Sequence, residues 1–248
     1  MRKAWSRKES SFGCLLIIFA FVVLAPALLW AEPPESFQQK WDHTFSIVAI
    51  DPDTGHLGVA VSTARLAVGN RVPFVKAKVG AVATQANTNP TLAYEALLFL
   101  EMGKTAQEAL DAALGSDAGR EERQLTIIDA KGNKAAFTGT KPDDYKGHII
   151  GKNCVVAGNI LVGPETLSAM VEAFDRTEGH LSDRIMAAME AGQKAGGDKR
   201  GKISAAILVA TEGLHPYVNL RVDNSTDPVA ELRKLYDAYK AAFLTPKK

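Results

Sequence analysis

Five short runs constrain this chain more than any other feature. "SIVAI" (46–50), "GVAVS" (58–62), "GAVA" (80–83), "CVVAG" (154–158) and "SAAILVA" (204–210) are almost uninterrupted apolar stretches. They are too short for buried helices, and they do not alternate between apolar and polar. Such runs read as strands covered on both faces. The connections nearby are of hairpin length: "DPDTG" (51–55) separates the first two strands, and "KGN" (131–133) separates "RQLTIIDA" from "KAAFTG". Turns of that length join antiparallel neighbours. An antiparallel sheet buried on both sides needs a layer on each face.

Helical segments supply those layers. "NPTLAYEALLFLEMG" opens with Asn89 as a cap and Pro90 at the first helical position. "TAQEALDAAL" opens with a Thr-x-x-Glu capping box, Thr105 to Glu108. "PETLSAMVEAFDRT" and "LSDRIMAAMEAGQKA" form a second pair, and "DPVAELRKLYDAYKAAF" is a final amphipathic helix with Asp227 as its cap. The coarse order is strands, two helices, strands, two helices, strands, helix. That order predicts an α+β fold: a four-layer αββα sandwich of two antiparallel sheets between helix layers.

Residues 1–31 stand apart. "MRKAWSRKESSFG" carries four basic residues, and the 18 residues "CLLIIFAFVVLAPALLWA" carry no charge. A basic head, an apolar run and a small terminal residue predict a secretory signal cut after Ala31. An uncut run would instead tether the chain to a membrane. Residues 32–43, "EPPESFQQKWDH", read as a polar leader, and residues 44–248 as one domain. The expected location is therefore periplasmic or extracellular. The whole chain has 29 basic and 28 acidic side chains; without residues 1–31 these become 25 and 27, a formal charge of −2. There is no basic stripe with interleaved aromatics, which argues against a nucleic-acid partner. Cys154 is then the sole cysteine, so no intrachain disulfide forms, and it reads as a small buried hydrophobe. The histidines, His43, His56, His148, His180 and His215, are scattered without metal-ligand spacing, so neither a metal nor another cofactor is expected.

Several long segments carry a family resemblance: "TFSIVAIDPDTGHLGVAVST", "RLAVGNRVPFVKAKVGAVATQANTNP", "GREERQLTIIDAKGNKAAFTG", "AGNILVG" and "GGDKRGKISAAILVA". They resemble the domain-of-unknown-function family 1028 over nearly all of residues 44–240. That family resembles the N-terminal-nucleophile (Ntn) hydrolases in fold. The resemblance implies that Thr44 is a catalytic nucleophile once it becomes a free N-terminus. In many relatives this Thr directly follows the initiator methionine. Here it lies behind the signal and leader, so exposure requires cleavage at His43–Thr44.

A free Thr44 would carry its own base. The α-amine has a reference pKa of about 7.7–8.0 and can take the hydroxyl proton near neutral pH. Around it the resemblance and the strand pattern suggest partners, each with a plainer alternative. A turn centred on Asp53–Thr54 sets Ser62 or Thr63 opposite Thr44, either as neighbouring hydroxyls or simply as a strand end. Lys76 would depress the amine pKa as in proteasome-like relatives, or it blunts an edge strand. Asn159, with a backbone N–H near Gly158, would donate to an oxyanion, or it closes a turn. Asp198 would orient the amine, Ser204 would hydrogen-bond it and Arg200 would fork onto a substrate carboxylate; alternatively the segment is a solvated glycine-rich loop. Gln85 would line the same pocket, or it merely caps the helix that follows. The leading expectation is an exported Ntn amidohydrolase acting on small amides or peptidoglycan fragments. The alternative is a ligand-binding or assembly module without chemistry, and either reading admits a homo-oligomer.

Overall fold

A computed structural model describes residues 44–142 and 145–244. The signal and leader expected over residues 1–43 lie outside the described residues. In chain order the elements are β1 (Thr44–Ile50), β2 (Leu57–Thr63), β3 (Pro73–Lys76), β4 (Gly80–Ala86), α1 (Pro90–Glu101), α2 (Ala106–Gly115), β5 (Arg123–Asp129), β6 (Lys134–Thr138), β7 (Gly147–Ile150), β8 (Cys154–Asn159), α3 (Glu165–Arg176), α4 (Leu181–Lys194), β9 (Ser204–Ala210), β10 (Val218–Val222) and α5 (Pro228–Tyr239).

The strands form two antiparallel sheets. One has the order β10-β9-β2-β1-β8-β7 and the other β3-β4-β5-β6. β1 shows why its apolar run does not alternate. Phe45, Ile47 and Ala49 pack with Leu167, Met170, Ile185 and Met189 of α3 and α4. Val48 and Ile50, on the opposite face, pack with Ala81, Ala83 and Ile128 of the other sheet. Both phases of the strand are core. Val82, Leu125 and Ile127 meet Leu92, Ala96, Leu110 and Leu114 of α1 and α2. Three apolar layers therefore separate four structural ones, and the αββα order follows.

The caps sort by their chemistry. Asn89 accepts the Thr91 N–H at 3.2 Å. Glu108 accepts the Thr105 N–H at 2.8 Å while the Thr105 hydroxyl accepts the Glu108 N–H at 3.3 Å. Asp227 makes no side-chain cap to α5. Its carboxylate instead pairs with Lys202 at 2.7 Å, which corrects the expectation from sequence. Cys154 is fully buried, and burial pushes its thiol up to about 12. β8 stops at Asn159 rather than running on to Leu161, because Ile160 turns into the left-handed region at φ 50.

Candidate active site at the head of β1

Register brings the site together. Thr44 pairs with Thr63 on one side and with Asn159 on the other, and Thr63 pairs with Ser204. Directly paired residues of an antiparallel sheet point to the same face. The result is one transverse row, Ser204–Thr63–Thr44–Asn159, across β9, β2, β1 and β8. The row shares the face of Val48 and Val59, so it looks toward the second sheet. The Thr44 hydroxyl donates to the Thr63 hydroxyl at 3.4 Å, and both residues are buried.

The facing sheet answers with amides. Gln85 and Gln124 are paired in β4 and β5. Gln124 Oε1 accepts from Gln85 Nε2 at 2.6 Å and from Asn159 Nδ2 at 3.0 Å, which joins the two sheets. Gln124 Nε2 is placed for Thr138 Oγ1 at 3.0 Å, the Gly147 carbonyl at 2.9 Å and the Gly158 carbonyl at 2.8 Å. One Nδ2 proton of Asn159 is thus held, and the other remains a donor. Among the described residues Asn159 Oδ1, Gln85 Oε1, Ser46 Oγ and Thr126 Oγ1 have no hydrogen-bond partner, although all are buried. Both strand ends here leave through left-handed backbone: Ala86 follows Gln85 at φ 71, and Ile160 follows Asn159 at φ 50. A β-branched residue in that region is strained, and such strain gathers at functional sites.

Beyond the row lies the loop 64–72. Asp198 accepts the Ala64 N–H at 3.0 Å and the Arg200 N–H at 2.9 Å, and Arg200 Nη2 returns to it at 3.2 Å. Burial pushes the Asp198 carboxyl up, against the opposing pull of these donors. The Ser204 hydroxyl donates to the Arg65 carbonyl at 2.6 Å and accepts the Val68 N–H at 3.1 Å. A pocket of about 350 Å³ opens beside Thr63, walled by this loop.

Several expectations change. Thr63, not Ser62, stands beside Thr44; Ser62 pairs with Phe45 and shares its helix-facing side. Lys76 is not near Thr44. It pairs with Gly80, at the opposite end of β4 from Gln85, and its half-exposed ammonium meets Glu101 at 2.5 Å. Asp198 and Ser204 reach the site's rim, where they bond the loop at Ala64, Arg65 and Val68, and Arg200 bonds Asp198. The Gly158 backbone, which sequence reasoning offered as a second oxyanion donor, lies mid-sheet between Phe45 and Gly147. Backbone N–H groups so placed point along the sheet. Thr44, Asn159 and Gln85 do come together. Gln124, Ser46 and Thr126 are additions. Their signal was a polar residue inside strands otherwise buried on both faces.

Fold and site together define a four-layer sandwich with a hydroxyl and amide row where the central strand begins. The chain belongs to the family of unknown function DUF1028, whose family model matches residues 44–232. The crystal structure of protein SPO2555 from Silicibacter pomeroyi, of the same family, is similar at 36% identity, with 80% of this chain and 86% of that chain covered and a TM-score of 0.75. Anbu, the ancestral beta-subunit from Yersinia bercovieri, matches at 10% identity over 83% of this chain and 99% of that chain, with a TM-score of 0.37. No curated protein matches the chain.

Proposed function

We propose that the chain is an Ntn-type amide hydrolase in which Thr44 acts as nucleophile after the His43–Thr44 bond is opened. The reading is carried by one observation: the hydroxyl of Thr44 sits in a row with Thr63 and Asn159, beside a pocket. Cleavage would leave an amine and a hydroxyl on the same residue. The unprotonated amine takes the Oγ1 proton as Oγ1 attacks the carbonyl carbon of the amide. Asn159 Nδ2–H donates to the oxyanion. The intermediate collapses, the ammonium returns its proton to the leaving amine, and an ester to Thr44 remains. Water, deprotonated by the same amine, then hydrolyses the ester and restores the hydroxyl.

Intact mass and turnover test this together. A mature chain beginning at Thr44 is expected, with activity on a panel of small amides. Thr44→Ser should retain turnover and Thr44→Ala abolish it while melting normally. Equal turnover by Thr44→Ala would reject the nucleophile. The rate should rise with pH as the amine loses its proton, around a pKa of about 7.7–8.0 or below.

A further inference from the structure

We propose that the pocket beside Thr63 is a carboxylate site, so that the chain selects small ligands bearing a free carboxylate next to an apolar group, as in an N-acyl amino acid. The inference deepens the hydrolase reading, and catalysis on such ligands rests on it; the binding itself does not.

Two arginines, Arg65 and Arg71, line the pocket together with Leu66, Val72 and Ile203. No acidic side chain is among the described residues that line it. A guanidinium fork matches a carboxylate with two parallel hydrogen bonds, and the aliphatic wall offers an apolar side chain somewhere dry to sit. Each guanidinium has five donors, so a carboxylate can be added to whatever else the arginine holds. The volume of about 350 Å³ is near the lower limit for small-molecule sites, which suits an amino-acid derivative rather than a long peptide. Thr63 belongs to the wall, and its hydroxyl is 3.4 Å from that of Thr44. A ligand anchored by its carboxylate therefore lies within one residue of the nucleophile.

The wall is fixed before any ligand arrives. Asp198 holds the Ala64 N–H at 3.0 Å, and the Ala67 N–H donates to the Asp223 carbonyl at 3.0 Å. Ser204 holds Arg65 through its carbonyl at 2.6 Å and Val68 through its N–H at 3.1 Å, and the Arg71 N–H donates to the Val68 carbonyl at 3.1 Å. A preformed wall lowers the ordering cost of binding. The same contacts explain why Ser204 and Asp198 are buried polar residues that do not touch Thr44.

Calorimetric titration of the full chain with N-acetyl-leucine and N-acetyl-leucinamide tests the assignment, since the probes differ only in carboxylate against carboxamide. The carboxylate should bind at least tenfold tighter. The Arg65→Gln/Arg71→Gln double variant should lose that preference, with Arg176→Gln/Lys234→Gln, at exposed positions of α3 and α5, as a charge-matched control that keeps it. Equal binding of the two probes, no binding of either at millimolar concentration, or a preference that survives the double variant would overturn the proposal. The readout does not need a free Thr44. Carboxylate binding without any turnover would sink the nucleophile and leave the pocket; turnover without carboxylate preference would do the reverse.

Discussion

Gln124 holds more of the site in place than any other side chain. Its carbonyl accepts two amides from two sheets, and its amide nitrogen is placed for three oxygens. An NH₂ group has two protons, so one of those three is shared. Gln124→Glu keeps the shape and reverses the chemistry: an ionised oxygen would face the Gly147 and Gly158 carbonyls in a buried setting. We expect a loss of at least about 1–3 kcal/mol at neutral pH. Burial raises the pKa of such a carboxyl, and its neutral form can donate again. The deficit relative to the natural protein should therefore shrink as pH falls from 7 toward 5, read by urea denaturation at each pH; a deficit that stays constant would mean the donors are unimportant. Asn159→Ala asks a different question. Under the hydrolase reading it removes the oxyanion donor, and kcat should fall by about 100- to 1,000-fold, whereas losing the bond to Gln124 should cost only about 1–3 kcal/mol of stability.

At the scale of elements, the site depends on how β5 begins. A 3-10 turn, Arg120–Glu122, leads into it. Arg123 then pairs with Asp117 at 2.7 Å and donates to the Asn87 carbonyl at 2.7 Å, while Asn87 Nδ2 donates to Glu122 at 2.7 Å. The end of β4 and the start of β5 are thus clamped, and Gln85 and Gln124 stand at that clamp. The hydrogen bond from Arg123 holds the Asp117 carboxyl below its ordinary value of 3.8. A carboxyl depressed in the folded state contributes stability above its unfolded pKa and loses it as pH falls through the folded one. Asp117→Asn should cost about 1.5–3 kcal/mol at neutral pH, the scale of a hydrogen bond to a charged group, and should flatten the acid limb of stability below about pH 4. Equal acid limbs in both proteins would place the titration elsewhere. Gly139 closes the same clamp: a Cβ there would lie 2.3 Å from the Glu121 carbonyl oxygen, a backbone atom that cannot swing aside. Gly139→Ala should destabilise by about 1–3 kcal/mol, seen as a lowered urea midpoint. None of this was legible in sequence, which does not show that Asn87, after β4, meets Glu122 and Arg123. The capping box at Thr105 was legible, since its two partners are three residues apart. Lys76 misled because sequence shows that a lysine lies in a strand, but not which end of the sheet that strand position reaches.

Across the whole molecule, the space between the two sheets changes character along the strands. Toward the Ile50 and Leu57 end it is filled by Val48, Val59, Ala81, Ile128 and Val155. Toward Thr44 it becomes polar, with Ser46 and Thr126 marking the transition between the apolar packing and the row at the strand heads. The αββα layering could be read from sequence because continuous apolar strands with short turns admit few other arrangements. The polar end could be read only in part, because the pairing of Thr44 follows from one local hairpin, whereas Gln124 arrives from another sheet. The two hydroxyls at the transition are buried and have no partner among the described residues. An unpaired buried hydroxyl costs about 1–3 kcal/mol, so the fold carries this polarity against its own stability. Ser46→Ala and Thr126→Val should each raise the urea midpoint, with a gain in stability of about 1 kcal/mol where the packing is kept. Under the hydrolase reading, the more stable variants should turn over amides more slowly, the usual cost of stabilising a strained site. A midpoint that falls in both variants would mean that the hydroxyls are bonded within the sandwich, and the account of a core strained by its own site would have to be abandoned.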